Sequence, residues 1–172
     1  MTAFYMISIL TFLGYLTAAL GRFGVPTSIS ETFYMWPPKY GKHLFFGFCL
    51  LVSVPLMVFW LDCSQGTLQF LIFFACAALA FVGVAAEFKG ISLTRNVHYV
   101  AAGVCALCSQ LWIALYTWWW IASIVLLVGA AILTRKIKGV DASGKKGSAA
   151  MFFFEVAAFL SAYIASLAYF LK

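Results

Sequence analysis

The stretch HLFFGFCLLVSVPLMVFWL, residues 43–61, contains no aspartate, glutamate, lysine or arginine. Its length is close to the ~20 residues a helix needs to cross ~30 Å of hydrocarbon. Lipid admits only helices or closed barrels, because no water is present to pair a free backbone N–H or C=O. Barrel strands alternate apolar and polar residues, and this stretch does not. The reading is therefore a transmembrane helix, with Pro55 inside it as the candidate kink. Five further blocks read the same way, at roughly 3–21, 67–87, 98–115, 117–134 and 151–171. The expected fold is all-α: an integral membrane bundle of six transmembrane helices, forming a single domain over residues 1–172.

Composition points the same way. The chain is 65% hydrophobic and 9% charged, whereas a soluble domain is nearer ~45–50% and ~25%. Residues 1–21 lack a basic n-region and run too long for an h-region, so they read as the first span and not as a cleavable signal peptide. Four of the five cysteines fall inside apolar blocks, which argues against a disulfide framework. Cys105-Ala-Leu-Cys108 has the CxxC spelling, but within a helix in lipid it reads as two small side chains.

The net charge of +6 does not indicate nucleic acid, because the basic residues lie between apolar blocks. Arg22, Lys39, Lys42, Lys89, Arg95, Arg135, Lys136, Lys138, Lys145 and Lys146 fall in the odd-numbered loops, and only Lys172 falls on the opposite side. The positive-inside rule then puts these loops in the cytoplasm and both termini outside. Trp118-Trp119-Trp120, Tyr116 and Trp60 fall on the outer side and read as an interfacial aromatic belt. The segment GVDASGKKGS, 139–148, reads as a flexible charged loop.

This orientation gathers the rare polar groups at one depth. Ser30, Glu31, His43, Glu87, His98 and Glu155 all belong to the basic side, while Asp62 belongs to the other. Helical spacing sharpens the grouping. His98, Ala101, Ala102, Cys105 and Ser109 share one face, as do Cys76, Ala80, Gly83 and Glu87, and Glu155, Ala158, Ala162 and Ser166. Small residues let helices approach closely in lipid. The three faces should therefore meet, with Glu87, His98 and Glu155 turned inward around a shallow cavity. Ser28-Ile-Ser-Glu31 spells a capping box, in which Ser28 accepts from the Glu31 amide and Glu31 returns to Ser28. Phe33 to Trp36 then suit a short surface helix ended by Pro37-Pro38.

Three functions accommodate this cluster. The first is a binding or structural membrane protein whose polar pocket takes a lipid headgroup or a partner, with Arg22, Lys39, Lys42 and Arg95 attracting anionic headgroups. The second is a metal-dependent hydrolase of a lipid amide or ester. It would use zinc held by His43, His98 and one or two of Glu31, Glu87 and Glu155, with Ser30 orienting the substrate. The third is a small transporter or channel using Glu87 and Glu155 as relays. The chain has no phosphate-binding Gly-rich loop, no G-x-S-x-G elbow and no HExxH.

Ser28-Ile-Ser-Glu-Thr-Phe-Tyr34, followed by His98-Tyr-Val-Ala-Ala102, resembles the S-[IL]-S-x-x-[YF]-Y … H-Y-x-[AS]-A pattern of a family of small uncharacterised bacterial multi-span membrane proteins. The likeness covers roughly residues 22–115. It implies a helical bundle in the bacterial cytoplasmic membrane and no established activity. A more distant likeness is to the alkaline ceramidase and adiponectin-receptor type of membrane hydrolase, which implies a serine, an aspartate and three histidines around zinc. This chain departs from that set, with two histidines, no H-x-x-x-H pair, six expected spans where that type has seven, and Asp62 on the opposite side.

Overall fold

The computed structural model describes residues 1–90, 92–117 and 119–170. Helix α1 runs Thr2–Phe23, α2 Thr32–Met35, α3 Pro38–Ser64, α4 Gln69–Val84, α5 Ser92–Tyr116, α6 Trp120–Lys136 and α7 Ala150–Phe170. Each expected apolar block coincides with a helix. Helices α1, α3, α5 and α7 (the last over Ala150–Leu167) are long and apolar enough to cross a membrane. Helix α4 is a shorter apolar helix of 16 residues. Trp118 of the tryptophan run, Leu171 at the end of the last expected block and Lys172, the lone opposite charge, lie outside the described residues.

Outward faces carry large apolar side chains along most helices, among them Leu10, Phe70, Phe81, Leu107 and Val125. Exposed apolar surface on this scale suits lipid as the surrounding solvent. Inside, polar pairs and aromatic stacks tie the helices together. Ser8 of α1 donates to the Val52 carbonyl of α3 (2.9 Å) and meets the Tyr163 hydroxyl of α7 (2.7 Å). Pro55 has no N–H to offer the Leu51 carbonyl four residues back; one residue further on, the Val52 carbonyl takes the Ser8 hydroxyl as a donor from another helix. Helices α3 and α4 approach so closely that a Cβ on Gly83 would stand 2.8 Å from the Cβ of Cys49.

Trp60 does not join an interfacial belt. It is buried, stacks on Trp112 at 4.6 Å and donates its indole N–H to Ser166 (2.6 Å). A tryptophan near the end of a span can face lipid or the bundle, and here the Trp112 ring and the Ser166 hydroxyl hold it inward. The Tyr116 hydroxyl bonds the Cys63 carbonyl.

Residues 139–148 are not a flexible loop. Strands β1 (Lys138–Val140) and β2 (Lys146–Ser148) form an antiparallel hairpin, with Lys138 opposite Ser148. The chain between α1 and α2 docks on it. Thr27 N–H donates to the Val140 carbonyl (3.1 Å), Val140 N–H donates to the Val25 carbonyl (2.9 Å), and Phe152 N–H at the start of α7 donates to the Thr27 carbonyl (3.1 Å). A Cβ at Gly139 would meet the Pro26 carbonyl at 2.9 Å, so glycine permits this close approach. These long-range backbone bonds order a segment whose composition alone reads as loop.

Asp141 closes the hairpin. Its Oδ1 accepts from the Ser143 amide (2.9 Å), the Ser143 hydroxyl (2.7 Å) and the Lys145 amide (2.9 Å). The Ser143 hydroxyl foremost, with these amides, favours the ionised carboxylate and holds it below its ordinary value. A group with a depressed folded-state pKa contributes stability that is complete above the unfolded value, ~3.9 for Asp, and is lost as pH falls through the folded value. Hydrogen-exchange protection at Ser143 and Lys145, corrected for intrinsic rates, should therefore hold from neutral pH down to about 4 and fall in stronger acid. Asp141→Asn should lack that acid transition. Identical profiles in the two proteins would show that the carboxylate does not close the turn.

Candidate functional site

The short chain Ser28–Thr32 is where the polar residues meet. Ser28 Oγ accepts from the Glu31 amide (2.9 Å), which is half of the expected capping box. The other half is not made, because the Glu31 carboxylate turns away. Its Oε1 takes Lys89 Nζ at 2.5 Å and the Ala142 amide at 2.8 Å, joining the α4–α5 connection to the hairpin. Glu31 is buried and its side chain is only 5% exposed, so the pair is shielded on the acidic side. Lys89 also lies over the Tyr34 ring at 4.9 Å, and its amide donates to the Tyr34 hydroxyl (2.8 Å). Helix α2 is thus anchored to protein on this side. Thr32 donates to the Ile29 carbonyl (2.6 Å) and meets the Tyr15 hydroxyl of α1 (2.6 Å).

Ser30 and His98 come together as a pair. His98 is buried near the start of α5, stacked on Phe88 at 4.5 Å. Its Nδ1 lies 3.1 Å from the Ala85 carbonyl and its Nε2 3.1 Å from Ser30 Oγ. A carbonyl oxygen only accepts, so Nδ1 carries the proton; in the neutral ring Nε2 then accepts from the Ser30 hydroxyl. Both ring nitrogens are engaged within the protein.

Glu155 approaches the same turn from α7. Its Oε2 accepts from the Ile29 amide at 2.5 Å. Beneath it lies a cavity of about 120 Å³ between α3, α4, α5 and α7. Ile29, Ser30 and Glu155 line one end, and Trp60 and Ser109 lie toward the other. The walls between are apolar or small, including Cys49, Leu56, Cys76, Ala102, Cys105, Ala158 and Ala162. A rise of about 1.5 Å per residue puts roughly 16 Å between Cys49 and Trp60 along α3. The space is therefore long and narrow. Ser53 and Ser109 also face it, with their hydroxyls directed to the Leu50 and Ala106 carbonyls of their own helices.

The remaining candidates lie elsewhere. His43 is exposed on α3 and does not join the cluster. Glu87 lies past the end of α4, is exposed and pairs with Lys42 at 3.8 Å, not with Lys89 or Arg95. The turn after Val84 leaves the helix register before Glu87 is reached, so the i+4 step from Gly83 does not carry it inward. Arg22 lies exposed over the Phe23 and Trp36 rings, 5.7 Å from each. Lys39 lies 5.4 Å from the Tyr40 ring, and Arg95 is exposed on α5. These cations form an outer rim and do not line the cavity.

The residues proposed to hold zinc do not converge. Among the described residues no group of three or more His, Cys, Asp or Glu side chains is placed to hold a metal ion. Sequence reading missed the Glu31–Lys89 pair, separated by 58 positions with no local signal, and the α3 wall of the cavity. Cys49, Ser53, Leu56 and Trp60 recur at helical spacing, which was the available signal for that wall. No protein-family model, no curated protein and no solved structure matches this chain.

Proposed function

We propose that the protein is a multi-pass membrane protein of the bacterial cytoplasmic membrane that binds a single-chain amphiphile, with the chain in the cavity and the polar head beside Ser30 and Glu155. In this reading α4 and α6 also cross, giving six spans, with the basic end in the cytoplasm and both termini outside. The connections carrying Arg22, Lys39, Lys42, Lys89 and Arg95 lie at the same end as the hairpin, as the Lys42–Glu87, Lys89–Glu31 and Glu31–Ala142 contacts require. That supports a common cytoplasmic rim facing anionic headgroups.

The observation that carries the binding reading is the cavity itself. Apolar cavities in proteins stay dry and accept apolar guests; one of about 150 Å³ takes benzene. This one is of similar volume but drawn out along α3 and open to the surroundings, so it takes one narrow segment of an alkyl chain, with the rest of a longer chain outside it, and not a fused ring system. A polar end among apolar walls is the usual build of a small-molecule site. The hydrolase reading gains no support from the geometry, because His98 is committed to Ala85 and Ser30 and His43 is exposed elsewhere.

Native mass spectrometry of the full chain in phosphatidylcholine bilayer discs, titrated with dodecanol, tests the reading. One saturable dodecanol per chain is expected, displaced by a second single-chain alcohol and not by a sterol. Non-saturable uptake proportional to the lipid present would overturn it.

A further inference from the structure

Among the described residues nothing supplies a counter-charge to the Glu155 carboxyl. Among the described residues the ion pairs are Lys42–Glu87 and Lys89–Glu31, and neither reaches α7. His98 makes its bonds to Ala85 and Ser30. The one hydrogen bond to the Glu155 carboxyl among the described residues comes from the Ile29 amide, on Oε2. The side chain lines the cavity and keeps part of its surface accessible there. Among the described residues it is the sole ionisable carboxyl or base in the cavity wall. A charge among apolar walls is costly unless paired, and a ligand can supply the partner that the protein omits.

Ser30 adds a second acceptor. In the neutral His98 pair its hydroxyl hydrogen points to Nε2, which leaves oxygen lone pairs free. A primary ammonium has three donors. It can give one to Glu155 and one to Ser30 Oγ while its alkyl chain runs down the cavity toward Trp60. A carboxylate or phosphate head in the same place would face Glu155 as a like charge. We propose that Glu155 selects the head group and that the ligand is a single-chain primary amine. This rests on the reading of the cavity as an alkyl-chain site and adds to it the chemistry of the head.

The test compares probes with one tail and different heads in phosphatidylcholine discs at neutral pH, read by competition in native mass spectrometry. Dodecylamine should bind roughly tenfold or more tighter than dodecanol, as one charge-assisted hydrogen bond implies, and dodecanoate should bind more weakly than dodecanol. In Glu155→Gln the amine should lose its advantage and bind no more tightly than the alcohol does to the same variant. Equal binding of amine and alcohol by the natural chain would overturn the head-group assignment while leaving the chain site standing. A preference for amine that survives in Glu155→Gln would also overturn it, leaving Glu155 as a latch for Ile29. Saturable binding of none of the three probes would remove the chain site, and the assignment with it. If Glu155→Gln does not fold, dodecyltrimethylammonium on the natural chain decides. It carries the charge without N–H donors and should bind more weakly than dodecylamine; binding as tight as the amine would overturn the hydrogen-bonded arrangement.

Discussion

Trp60→Ala is expected to be the most destabilising single substitution in the helical core, costing about 3–5 kcal/mol. Trp60 is 1% exposed, stacks on Trp112 at 4.6 Å and gives its N–H to Ser166. Truncation removes the stacking partner of Trp112 and opens a void that neighbouring helices can only partly fill. The lost N–H bond is the smaller part, about 1 kcal/mol, because Ser166 still donates to the Ala162 carbonyl (2.7 Å). Trp60→Phe should therefore cost much less than Trp60→Ala in thermal unfolding of the detergent-solubilised chain. Trp60 also lines the cavity away from Glu155, so its removal should lengthen the space. The alanine variant should shift its preference from dodecanol toward hexadecanol and recover part of its stability when hexadecanol is bound, by linkage. A large loss of stability with unchanged chain-length preference would mean that the tryptophan is purely structural.

Ala102→Phe should have the largest effect on binding. Ala102 lies on α5 facing the cavity between His98 and Ser109. A phenyl ring there occupies the middle of the space, and dodecanol and dodecylamine should both lose saturable binding. Overpacking costs typically ~1–3 kcal/mol where a core is already full. Here a void of about 120 Å³ receives the ring, so the unfolding temperature should stay close to that of the natural chain. Cys105→Phe, one turn further along the same face, should do likewise. A folded Ala102→Phe protein that binds dodecanol as before would place the alcohol outside the cavity.

The sequence and the structure agree where the signal is local. Uniform apolar blocks marked the helices. The small faces of α5 and α7, His98-Ala101-Ala102-Cys105-Ser109 and Glu155-Ala158-Ala162-Ser166, do turn inward, and most of their members line the cavity or are buried beside it. Ser28 was legible as an acceptor for the Glu31 amide because that bond spans three residues. What was not legible depended on distant partners. Glu31 leaves its capping role for Lys89 and Ala142, the latter 111 positions away. The hairpin at 138–148 is ordered by Val25 and Thr27, which lie in a different loop. His43 was grouped with the site by depth alone, and depth does not fix the side of a helix on which a residue sits; Glu87 was grouped also by its helical spacing from Gly83, and α4 ends at Val84 before that spacing can carry it inward.

What occupies the cavity decides what the protein does. The most direct measurement is the structure of the chain in a phosphatidylcholine disc with dodecanol carrying a terminal bromine, located by its scattering. The predicted result is bromine density between Trp60 and Ser109, with the hydroxyl end beside Ser30 and Glu155. Bromine found only on the outward, lipid-facing surfaces of the helices, with the space between α3, α4, α5 and α7 free of the chain, would contradict it.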